Sequence, residues 1–132
     1  MSVYVDTSAF LAVLDADDAN HEPAKQTWTG LLRARETLVT SNYVLVETFA
    51  LVQHRLGMEA VRTLQEDVVP VLHVEWVGEE LHQQAVGALL AANRRNLSLV
   101  DCASFAVMRR LGLRRAFAFD GHFSEQGFEC LP

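Results

Sequence analysis

Lysine occurs once in this 132-residue chain, at Lys25, and cysteine only twice, at Cys102 and Cys130. The two cysteines are far apart and form no C-x-x-C pair, which excludes a zinc ribbon and a disulfide framework and fits a reducing cytosol. Bases are scarce: 11 Lys and Arg stand against 17 Asp and Glu, for a formal net charge of −6. That balance argues against a general nucleic-acid coat, although a nuclease that gathers carboxylates around divalent ions would also be acidic. No long apolar run is present. The least charged stretch, 37–54, is broken by Thr, Ser, Asn, Gln and His, so no membrane span is expected. Without a basic N-terminal region before the short apolar run Ala9 to Leu14, no secretion signal is read and a cytoplasmic location is expected. What the chain does have is a hydrophobic content of 50%, enough to bury the core of one domain over 1–132.

Apolar patterning then places the elements. Ser2 to Val5 predicts a strand that ends at Asp6, with Thr7 and Ser8 opening a helix. Asn20 to about Arg35 predicts a surface helix, Thr37 to Thr40 a second strand, and Ser41-Asn42 the cap of a long helix stopped by Gly57. Another helix is expected over Met58 to Val68, ended by Pro70. Val71 to Val77 reads as a strand near an edge, Gly78 to Asn93 as a helix, and Ser98 to Leu111 as a helix stopped by Gly112. Ala116 to Phe119 is expected to be a strand ending at Asp120, with Phe128 to Leu131 a last short one. Alternating strands and helices imply an α/β fold, a mostly parallel sheet covered on both faces.

Four segments, 1–14, 37–54, 96–108 and 116–124, hold 54 residues and only four charges. Those charges are Asp6, Glu47, Asp101 and Asp120, while the other 78 residues carry 24. The four segments are therefore the expected interior, and each brings one carboxylate and no base. A carboxylate in such surroundings needs compensation or takes up a proton. Asp6 and Asp120 follow predicted strands, and Asp101 opens a helix at the same sheet edge, where open α/β sheets bind ligands. Glu47 lies inside a helix among Val44, Leu45, Val46 and Phe49, sharing a face with Tyr43, Ala50 and His54. With no Lys or Arg in these segments, Mg²⁺ or Mn²⁺ is the simplest counter-charge for four oxygen ligands. Plainer roles exist for three of them: Asp6 suits a helix cap, Asp101 a helix N-terminus, and Asp120 the turn before Gly121.

The stretches V-Y-V-D-T-S-A-F, S-N-Y-V-L-V-E-T-F-A, L-S-L-V-D-C-A-S-F-A and F-A-F-D-G-H-F together resemble, in order, the four acidic motifs of PIN domains. Within that family they resemble the VapC toxins of toxin–antitoxin pairs. The resemblance spans the whole chain. It implies a PIN-like three-layer α/β/α fold and a Mg²⁺- or Mn²⁺-dependent endoribonuclease, dimeric and restrained by a small antitoxin. It also implies that Asp6, Glu47, Asp101 and Asp120 are the catalytic and metal-binding set. Ser8 matches a polar residue that supports the first acid, with helix capping as the competing role. One departure is that Gly121 and His122 follow Asp120, where many relatives carry a further acid or Asn; His122 suits either a phosphate contact or a solvated turn. Six arginines, Arg94, Arg95, Arg109, Arg110, Arg114 and Arg115, fall within 94–115 and offer either phosphate contacts or solvated helix ends.

Other readings remain open at the level of sequence. A PIN-fold RNA-processing nuclease without a toxin role, or a non-catalytic PIN-like scaffold, needs only the fold. Phosphoaspartate chemistry is disfavoured because it uses a lysine near the phosphate, and Lys25 lies in the predicted surface helix. The two helices 42–57 and 58–68 are apolar over much of their circumference, including Phe49, Leu51, Val52, Leu56, Val61 and Leu64, which suggests a homodimer contact.

Overall fold

Three consecutive residues of the first strand, Val3, Tyr4 and Val5, are completely buried, and this short apolar run is the middle of the molecule. The computed structural model describes residues 1–132. Strand β1 (Ser2–Val5) pairs with β2 (Thr37–Ser41) on one side and with β4 (Arg115–Phe117) on the other. Beyond them lie β3 (Leu72–Glu75) and β5 (Glu129–Leu131), giving the order β3-β2-β1-β4-β5. Every pairing is parallel, so the expectation of a mostly parallel sheet becomes an all-parallel one. β3 is an edge strand, as its imperfect alternation suggests.

The helices complete the α/β/α layering. α1 (Thr7–Leu14) follows β1 at once, and α2 (His21–Arg33) packs against it. α3 (Asn42–Leu56) is capped by the Ser41 hydroxyl, which accepts from the Val44 N–H, and ends at Gly57, whose φ of 88° favours glycine. α5 (Glu79–Ala92) and α6 (Leu99–Leu111) pack together, and α6 also meets α3. Phe10, Leu38, Val44, Val52, Leu64, Met108, Phe117 and Phe123 join β1 in one hydrophobic core.

Two departures from the sequence reading have local causes. After α4 (Met58–Thr63) the chain does not stop before Pro70; it continues through a wide π turn at Leu64–Val68 and a tight 3₁₀ turn at Val69–Val71. Pro70 stands in the first turn of that last piece, where its missing N–H removes no bond. β4 ends at Phe117 rather than Phe119 because the Phe119 N–H leaves the ladder and donates to Ser8 Oγ at 3.0 Å. A one-turn helix, α7 (His122–Glu125), follows. Four residues are too few to show a periodicity.

The apolar residues that suggested a homodimer contact mostly face inward. Val52 and Leu64 are completely buried, and Phe49, Leu51, Leu56 and Val61 pack partly buried against the core. The exposed apolar side chains of this region are instead Val46 and Trp76, at 70% and 73% exposure, with Met58.

Candidate active site

Strand order turns back at β1: the chain moves from β1 through β2 to β3, then returns to the other side for β4 and β5. The crevice at the carboxyl ends of β1 and β4 is thus the switch point where such sheets hold ligands. Asp6 is the first residue beyond β1 and Asp120 the third beyond β4. Asp101 is brought to the same place by the first turn of α6.

Each of these acids has a structural task. Asp6 caps α1: its Oδ2 accepts from the Ser8 N–H at 3.2 Å and the Ser8 hydroxyl at 2.7 Å. Asp101 completes a capping box with Ser98, its Oδ2 accepting from the Ser98 N–H at 3.1 Å while Ser98 Oγ accepts from the Asp101 N–H at 3.0 Å. Asp120 Oδ1 accepts from the His122 N–H at 2.7 Å and so opens the α7 turn. The plain roles open at the sequence level are therefore real, yet each occupies a single oxygen. The second oxygen of all three carboxylates has no protein hydrogen bond.

Burial makes those charges uncomfortable. Asp6 is 4% exposed and Asp101 8%. Burial pushes the Asp6 carboxyl up to about 6; its bonds to Ser8 oppose this, and the charges of Asp101 and Asp120 add to it. Asp101 is raised chiefly by burial, against its bonds to Ser98, with Asp120 raising it further and His122 lowering it. No Lys or Arg forms an ion pair with any of the three. One ligand atom from each of Asp101, Asp120 and His122 lies within 4.8 Å of the other two. Carboxylate oxygens without partners, short of positive charge, fit a divalent cation.

Asp6 is not in that closest group, and neither is Glu47. It is half-buried midway along α3 and lines a cleft of about 340 Å³ with Asn42, Tyr43, Val46, Leu99 and Val100, immediately before Asp101. Tyr43 on that wall hydrogen-bonds the His82 ring. A larger apolar hollow of about 510 Å³, lined by Leu45, Phe49, Val74 and Trp76 at the β3 edge, shares Asn42 and Val46 with the cleft.

Ser8 does more than cap. Its hydroxyl donates to Asp6 and accepts from the Phe119 N–H, fastening the end of β1 to the segment that carries Asp120. His122 stands beside Asp101 and Asp120, a placement that a lone histidine in a turn does not reveal in the sequence. Half of the arginine cluster is committed to structure. Arg94 pairs with Glu125 at 2.9 Å, Arg115 with Glu36 at 3.1 Å, and Arg109 bonds Gln126 at 2.7 Å over the rings of Phe105 and Phe128. Arg95, Arg110 and Arg114 are exposed and make no ion pair; Arg95 lies in the loop before α6, whereas Arg110 is in the last turn of α6 and Arg114 beside Met1 and Ser2 at the opposite edge of the sheet.

Comparison with known proteins gives concordant matches. The family model described as PIN domain matches residues 3–129. A Mycobacterium tuberculosis protein named 23S rRNA-specific endonuclease VapC20 is 41% identical over 127 residues, spanning 96% of this chain and 95% of its own length. The crystal structure of Mycobacterium tuberculosis VapC20, described as a sarcin-ricin loop cleaving toxin, superposes with a TM-score of 0.86 at 40% identity, covering 98% of this chain and 99% of that one. DNA-bound VapBC from Salmonella typhimurium, at 15% identity, shares the fold with a TM-score of 0.70 over 98% of this chain and 96% of that one.

Proposed function

The chain belongs to the PIN-domain family, and from that premise we propose that it is a Mg²⁺- or Mn²⁺-dependent endoribonuclease of the VapC toxin type. The observation that carries this reading is the trio Asp6, Asp101 and Asp120, each with one oxygen tied to the scaffold and one left over, in a crevice with no compensating base. Glu47, extending from α3 along the adjoining cleft, is the fourth member of the proposed catalytic and metal-binding set. A bound divalent ion supplies charge to the phosphodiester and lowers the pKa of water. The residues do the rest: Asp101 and Asp120 would hold the ion and orient water through their free oxygens, Asp6 would complete the negative wall, and Ser8 keeps Asp6 in register with Asp120. Arg95, in the loop before α6, gives the RNA backbone a positive contact.

The likeness to the mycobacterial relative, at 41% identity over nearly the whole chain, supports the sarcin-ricin loop of 23S rRNA as the target. Partners follow from the same reading: a cognate antitoxin whose basic side chain meets the carboxylates, and a second copy of this chain against the exposed Val46 and Trp76. No helix is long and apolar enough to cross a membrane, and the reading places the protein in the cytoplasm.

The deciding experiment is cleavage of a sarcin-ricin hairpin and of unrelated structured RNAs, with and without Mn²⁺ or Mg²⁺. Cleavage should need the ion, and at 100 times its Kd the ion should stabilise the fold by about 2.7 kcal/mol, seen as a raised melting temperature. Metal-independent cleavage, or melting curves unmoved by millimolar ion, would sink the proposal.

A further inference from the structure

His122 stands at the mouth of α7 with its ring partly buried, and its two nitrogens face different neighbours. Nε2 lies 3.9 Å from Asp120 Oδ1, on the side of the carboxylate cluster. Nδ1 is sealed from solvent without a hydrogen bond, 3.7 Å from Glu125 Oε2. That same Oε2 is gripped by Arg94 at 2.9 Å. A chain therefore runs from the site outward: Asp120, imidazole, Glu125, guanidinium. Such an order is the one in which a histidine binds a metal with one nitrogen while its other N–H is fixed by a carboxylate that sets tautomer and ring angle. In neutral imidazole one nitrogen donates and the other keeps a lone pair, so a proton on Nδ1 facing Glu125 leaves the Nε2 lone pair facing the acids.

We infer that His122 is a metal ligand through Nε2, completing a mixed nitrogen and oxygen set with Asp101 and Asp120, held by the Glu125–Arg94 pair, and that this nitrogen makes the site favour Mn²⁺ over Mg²⁺. The inference rests on the metal-dependent reading above. Mg²⁺ takes oxygen donors in a strict octahedron and sheds water reluctantly, whereas imidazole suits the first-row transition ions. The ligand atoms within 4.8 Å of one another must draw in only modestly, since octahedral donors about 2.1 Å from a shared ion stand roughly 3–4 Å apart. Glu125 and Arg94 are positioning residues here: Glu125 faces the ring and Arg94 holds Glu125, and neither touches the ion.

Pulsed electron paramagnetic resonance on the full chain with one equivalent of Mn²⁺ reads the ligand directly. Nitrogen modulation from a coordinated imidazole is expected in the wild type and should vanish in His122→Gln, with Mn²⁺ still bound by the carboxylates. In calorimetric titrations His122→Asp, an all-oxygen site, should narrow the Mn²⁺ to Mg²⁺ ratio of Kd values by about tenfold, and Glu125→Gln should weaken Mn²⁺ binding by roughly tenfold. Manganese bound without nitrogen modulation, or a ratio unchanged in His122→Asp, overturns the inference and leaves the metal-dependent nuclease standing. Failure of the wild type to bind Mn²⁺ at all overturns both. The wild-type spectrum needs no variant to fold.

Discussion

Asp101→Asn should lower RNA cleavage on the order of 10³-fold, equivalent to about 4 kcal/mol of barrier, while leaving the fold intact. The two effects separate because Asp101 has two oxygens with different duties. Oδ2 accepts from the Ser98 N–H in the capping box of α6, and an asparagine carbonyl keeps that bond. The second oxygen, which has no protein partner, becomes an amide that repels a cation and cannot orient water. Loss of the negative charge at the helix N-terminus costs about 0.3–1 kcal/mol, opposed by relief of a buried charge whose carboxyl is already raised by desolvation. Melting temperature should therefore move little as turnover collapses. A variant that keeps a tenth of wild-type cleavage removes Asp101 from the catalytic set.

The second large effect runs in the opposite sense. In metal-free buffer at pH 7.5, Asp6→Asn should be more stable than the wild type by roughly 2–3 kcal/mol. The carboxyl of Asp6 has its pKa raised from 3.8 to about 6, first by burial and then by Asp101 and Asp120, against the bonds from Ser8. A group that holds its proton more tightly when folded loses stability as it ionises. Wild-type stability thus falls as pH rises from about 4 to about 6, by about 1.4 kcal/mol for each pH unit crossed, and stays lowered above. Asparagine has no charge to strand, and it can still accept from the Ser8 N–H as the cap of α1. At pH 4 the two proteins should melt together; saturating Mn²⁺ at pH 7.5 should reverse the order, because the wild type retains the stronger site. Denaturant melts at the two pH values measure this, and a variant less stable at pH 7.5 without metal refutes it.

Sequence reading reached the architecture because each local signal agreed with the global one. The V-Y-V run before Asp6, the Ser41 and Ser98 caps and the glycine stops at Gly57 and Gly112 all mark real element ends. It reached the acids because four lone carboxylates in apolar segments stand out without any coordinates. It did not reach the division of labour between the oxygens of one carboxylate, which depends on hydrogen bonds to Ser8, Ser98 and His122. The truncation of β4 was hidden too, since the Phe119 N–H is claimed by a residue 111 positions earlier. Glu47 shows the limit in the other direction: helix periodicity gives it a face, but how far it reaches toward Asp101 is set by the packing of α3 on α6.

The central position of β1 has a consequence for how this molecule comes into being. Strand β1 is made before both of the strands that flank it, and β4 follows only after β2, β3 and the intervening helices. At about 5–20 residues per second, roughly 6–23 s of translation separate Asp6 from Asp120. Throughout that interval the crevice has only one wall, so a growing chain carries no assembled nuclease. A ribonuclease toxin of this topology is thereby without an assembled site until the segment carrying Asp120 has emerged and folded, which also sets the moment from which a restraining partner is needed.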